Sequence, residues 1–134
     1  MKQKIVARLL VEVIGSPKPF IEETLKEVVT KLKVEPGIQL RKVDTYETEQ
    51  MENKLWSTFA DVELEAEDLK RLIGLCIDYM PSNIEILEPA GMDVDLSEIA
   101  HTMNDMLGKL HEFTNRIKKL QAELLWMQQN QSKE

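Results

Sequence analysis

Glu98 and His101 lie three residues apart in Glu98-Ile99-Ala100-His101, so on a helix they share a face. A carboxylate and an imidazole at that spacing form part of the ligand set of a di-metal helical bundle, which takes two such pairs and two further carboxylates. This chain has one such pair, with Asp93 and Asp95 as nearby oxygens. The pattern reads better as a helix cap followed by a surface histidine, and no metal is expected. His111 and Glu112 are neighbours, but an acid–base pair needs a pocket and a third group to orient it. Cys76 is the only cysteine and sits among Leu72, Ile73, Ile77 and Met80. That setting predicts a buried, inert thiol rather than a nucleophile. The sequence nominates no catalytic residue and no cofactor. An enzyme of this sequence would have to assemble its site at an interface, from residues that no motif reveals.

Charge narrows the partners. The formal charge is −7, and it falls in residues 1–95, which hold 12 Lys+Arg against 19 Asp+Glu, while residues 96–134 hold five of each. A net-acidic domain repels phosphate backbones and anionic lipid surfaces, so neither nucleic acid nor membrane is an expected partner. The acidic runs Glu47, Glu49, Glu52 and Asp61, Glu63, Glu65, Glu67, Asp68 read as solvated faces, with a cation or a basic partner as the alternative. One cysteine permits no internal disulfide, which suits a reducing compartment. Arg8 and Glu12 interrupt the apolar run near the N-terminus, so it reads as a strand rather than a signal peptide. No stretch approaches 18 apolar residues, and the expected location is the cytoplasm.

The loop Gly15-Ser16-Pro17-Lys18-Pro19 is the most suggestive connection. It joins a strand to a helix N-terminus, where free backbone N–H groups can hold an anion. Across residues 5–45 this layout resembles ACT-type regulatory domains, which place Gly after the first strand and Pro in the following turn. That resemblance implies a small-molecule sensor, binding an amino acid near a subunit interface, with Gly15, Ser16 and Lys18 as candidate ligand-binding residues. The Asp-Arg-Pro-Gly-like turn of that family is absent. A plain connecting turn is the other reading of these residues.

The elements that must position these groups follow from periodicity. Ile5, Ala7, Leu9, Val11 and Val13 share one face of a first strand, and Arg8 and Glu12 lie on the other among Val6, Leu10 and Ile14. A helix runs from Pro19 to about Lys33 on a stripe of Ile21, Leu25, Val28, Val29 and Leu32. Ile38 to about Tyr46 is a second strand in which Val43 falls out of phase with Ile38 and Leu40, which predicts a bulge or an early end. Glu47 to Lys54 reads as a loop, and Leu55 to Glu65 as a cleanly alternating third strand. A second helix, Glu67 to Met80, presents Leu69, Leu72, Ile73, Cys76, Ile77 and Met80. Ile84 to Leu87 is a short fourth strand. The order β-α-β-β-α-β predicts a ferredoxin-like α+β domain over residues 1–90, with both helices on one face of a four-stranded antiparallel sheet. Aromatic residues are only 5 % of the chain, so its core must be aliphatic.

Residues 91–134 read as one long amphipathic helix. Asp95 and Glu98 fit a capping box with Asp at the cap. Leu96, Met103, Leu110, Ile117 and Leu124 take heptad a positions, and Ile99, Met106, Phe113, Leu120 and Met127 take d positions. All ten are apolar, a specific coiled-coil-like signal. Gly108 is the candidate position for a break, the alternative to one continuous helix. Leu124-Leu125-Trp126-Met127 is apolar around the whole circumference. These ten residues with Leu125 and Trp126 are the candidate interface. The expected partner is the chain itself, as a homodimer or higher oligomer, with another helical protein as the alternative. The function so indicated is a non-enzymatic interaction or adaptor module.

Overall fold

The computed structural model describes residues 3–131. The chain divides into two units with the boundary between Asp95 and Leu96. The first unit contains strand β1 (Ile5–Gly15), helix α1 (Lys18–Lys33), strands β2 (Ile38–Thr45), β3 (Glu49–Gln50) and β4 (Trp56–Ala66), helix α2 (Leu69–Tyr79) and strand β5 (Asn83–Glu88). The second is helix α3 (Leu96–Gln131).

The sheet order is β2-β4-β1-β5, every pairing is antiparallel, and β3 adds to the start of β4. Two interleaved β-α-β crossovers give this order, so the fold is ferredoxin-like α+β. Alternation in β1 sends Ile5, Ala7, Leu9 and Val11 into the core, where they meet Ala60, Val62, Leu64 and Ala66 of β4. Leu25 and Leu32 of α1 and Leu72 and Leu75 of α2 close the same core from above. The core is aliphatic throughout, as the scarcity of aromatic residues requires.

Three local features departed from simple periodicity. Leu40 pairs with Leu64 and Val43 with Val62, so β2 spends three residues where β4 spends two. That is the bulge which keeps Val43 facing the core after Arg41 is passed over. The segment expected as a loop contains β3, because Glu49 and Gln50 pair with Ser57 and Trp56 through backbone bonds alone. Helix α2 buries Leu72 and Leu75, while Ile73 and Ile77 are only half-buried and Met80 is exposed. The expected stripe of α2 was therefore rotated. Leu72 to Ile77 is apolar at every position except Gly74, so periodicity there does not single out one face. Met80 leaves the helix in the left-handed conformation, and its N–H bonds the Cys76 carbonyl.

The helix ends follow local chemistry. Asp68 caps α2 by accepting the Arg71 N–H at 2.7 Å. Helix α1 has no side-chain cap and starts after Pro17, with Pro19 in its first turn. Its first turn has no acidic residue, whereas Lys31 and Lys33 in the last turn complement the dipole.

The sheet face away from α1 and α2 is polar and cross-linked. Arg8 bonds Glu85, Arg41 and Lys4 both reach Glu65, and the Tyr46 hydroxyl donates to Asp61 at 2.8 Å. The Tyr46 ring stacks on Phe59 with centroids 4.7 Å apart. Val6 is buried on this face and Ile14 is exposed.

Candidate functional site

Helix α3 is continuous from Leu96 to Gln131 and passes through Gly108 without interruption. Its 36 residues extend roughly 54 Å at the α-helical rise. Leu96 is its first residue, which leaves Asp95 at the cap position and Glu98 in the first turn. Thr102 and Thr114 donate their hydroxyls to the carbonyls of Glu98 and Leu110, four residues back, within the unbroken helix.

Continuity is what turns the ten heptad positions into a single seam. The a-position side chains Leu96, Met103, Leu110, Ile117 and Leu124 are exposed, from 49 % at Leu110 to 78 % at Leu96. Of the d positions, Leu120 and Met127 are exposed and Ile99, Met106 and Phe113 are half-buried. Leu125 and Trp126 flank the seam at its end, with Trp126 at 65 % exposure. Scattered apolar residues are ordinary on a surface, whereas this row is contiguous along one helix.

The stripe changes width along the helix. In its first half the e positions are Ala100 and Leu107, so the apolar face is broad. In its second half they are Thr114, Gln121 and Gln128, with Arg116 and Glu123 at g. A seam confined to a and d between polar flanks is the two-stranded coiled-coil pattern.

The residues of the β1–α1 loop are placed as follows. A Cβ on Gly15 would approach Ile21 Cγ2 to 3.2 Å, so the turn is tightly backed by α1. The Lys18 ammonium lies 5.5 Å from the centre of the Trp56 ring, a cation–π contact across the start of β4. Two shallow cavities of about 410 and 390 Å³ lie elsewhere in the first unit. One runs between β1, α1 and α2, the other between α1 and β2, and Gly15, Ser16 and Lys18 line neither.

Sequence reading missed one polar contact in the first of these cavities. The Tyr79 hydroxyl donates to Glu35 at 2.8 Å. Burial, reinforced by the Glu35 carboxylate, pushes the Tyr79 phenol up to about 12. The two residues are 44 apart in sequence, and no local pattern joins them. Cys76 is half-buried, and burial pushes its thiol pKa up, away from thiolate chemistry. His101 and His111 are both exposed on α3. Among the described residues, no three His, Cys, Asp or Glu side chains come together in a metal-binding group. No helix among them is long and apolar enough to cross a membrane.

The model of the MJ0538 family matches residues 6–133. This chain belongs to the MJ0538 family. The match runs from β1 through α3, so the long helix is part of what defines this MJ0538-family chain rather than an addition to it. No curated protein and no solved structure matches it.

Proposed function

We propose that this MJ0538-family chain is a non-enzymatic assembly module that associates with itself through the apolar seam of α3. The observation carrying the proposal is ten apolar heptad positions on one unbroken helix, with most of those side chains exposed. Full burial of an aliphatic side chain is worth about 1.5–3 kcal/mol. Even half that gain over ten positions competes with an association cost of about 4–15 kcal/mol. The ferredoxin-like unit is then the body that the helix gathers into an oligomer.

Light scattering coupled to size exclusion tests this. The chain is expected to run as a dimer or larger species, and Ile117→Asp in the middle of the exposed half should shift it to monomer with its helicity retained. A wild-type chain that stays monomeric at high concentration would overturn the reading. An oligomer indifferent to Ile117→Asp would move the interface off α3.

A further inference from the structure

We infer that two copies of α3 pair antiparallel through their second halves, with Arg116 of each lying across from Glu123 of the partner subunit. The inference rests on the self-association reading and adds partner, polarity and register to it.

The occupant follows from the width of the stripe. From Leu110 to Met127 the apolar face narrows to a and d, with Thr114 and Gln121 on one flank and Arg116 and Glu123 on the other. Such a seam matches a single facing helix, whereas the broader stripe around Ala100 and Leu107 suits a wider surface. The large apolar side chains from Ile117 to Met127 are all more than half exposed. Leu96, Met103 and Leu107 in the first half are exposed as well, so it is the narrowing of the stripe, not exposure alone, that sets the second half apart.

Polarity follows from the flanking charges. In a parallel pair a g residue faces the e residue five positions on in the partner. Arg116 would then face a glutamine, as would Glu123, and neither would meet a counter-charge across the interface. In an antiparallel pair g faces g, and a faces d. Three registers give substantial overlap and also cover the far end of the seam at Met127. With Leu96 opposite Met127 of the partner subunit, Lys109 is set against Arg116 of the partner subunit, twice by symmetry. One heptad along, Lys109 meets Glu123 of the partner subunit twice, but Arg116 meets its own copy. With Leu110 opposite Met127 of the partner subunit, Arg116 meets Glu123 of the partner subunit, again twice, and no like charges meet at g. In that register Leu110, Phe113 and Ile117 stack on the partner's Met127, Leu124 and Leu120, with the reciprocal three layers. Thr114 comes level with Gln121 of the partner subunit on the other flank. Trp126, outside the seam, comes level with Lys109 of the partner subunit, an arrangement suited to a cation–π contact.

Disulfide trapping reads the register directly. In a Cys76→Ala background, Arg116→Cys and Glu123→Cys chains carrying different tags are mixed and oxidised. The two are expected to cross-link with each other and not with themselves. On one helix these positions are about 10.5 Å apart, too far for an internal bridge. Lys109→Cys linking to Arg116→Cys, or to Glu123→Cys, would place the pair in another register. Leu110→Cys linking to itself would make the pair parallel. Any of these outcomes overturns the inference while leaving self-association standing, and a monomer overturns both.

A second measurement keeps Cys76. Arg116→Glu and Glu123→Arg should each weaken association roughly tenfold at low salt, and the double exchange should restore it. Failure of the double exchange to restore association, with helicity unchanged, would refute the Arg116–Glu123 contact.

Discussion

Tyr79 has a hydroxyl that donates to Glu35 in a partly enclosed cleft, and that contact makes its ionisation a reporter of the fold. Burial favours the neutral phenol, and the nearby carboxylates of Glu35 and Asp78 disfavour a phenolate further. Because the folded-state value lies above the unfolded one, the stabilising contribution is fully present below about pH 10 and is lost as pH rises towards about 12. Phenolate absorbance of a Tyr46→Phe variant should therefore rise well above the ordinary tyrosine range. Adding Glu35→Gln should bring that rise to lower pH. Superimposable titrations of the two variants would show that the hydrogen-bonded carboxylate does not hold the phenol.

At the scale of elements, legibility depended on whether burial left a periodic trace. Strands β1 and β4 alternate and were readable from their residues, as was the slip that Val43 reports in β2. The face of α2 was not readable, because Leu72, Ile73, Leu75, Cys76 and Ile77 leave only one gap at Gly74. Strand β3 left no trace, because Glu49 and Gln50 are polar, exposed and pair with β4 through their backbone. The Tyr79–Glu35 contact joins residues brought close only by the crossover. The apolar heptad pattern of α3 was readable from its residues, and the continuity of the helix was what the structure added. Gly108 remains a weak point in that continuity. It lies at an f position with nothing within 4 Å of an added Cβ, and glycine is about 1 kcal/mol worse than alanine in a helix interior. Gly108→Ala should raise helicity and the midpoint of thermal unfolding of α3 without altering oligomer size. A lowered midpoint would mean that the helix relies on the absence of a side chain there.

Across the whole molecule, the core and the seam fall in different units. Every residue of the buried aliphatic cluster lies before Asp95. A fragment ending at Asp95 should therefore keep the sheet, with far-ultraviolet dichroism losing helical signal but retaining a cooperative melt. It should also run as a monomer. A fragment that fails to fold would show that the sheet unit depends on α3, and a dimeric fragment would place an interface on the sheet unit itself.

Strand β5 bears on a different problem, that of ending a sheet. All six of its residues are exposed, and Ile84, Ile86 and Leu87 present aliphatic side chains beside an outer row of backbone groups. A longer strand of this kind would be a template on which further chains could polymerise. Pro81 precedes it and Pro89 follows at once, so the ladder cannot be extended in either direction by regular pairing. The register slip between Val6 and Ala7 twists the end of the strand further. Glu85 and Glu88 place negative charge along the short stretch that remains. The sheet in this way stops at its own last strand.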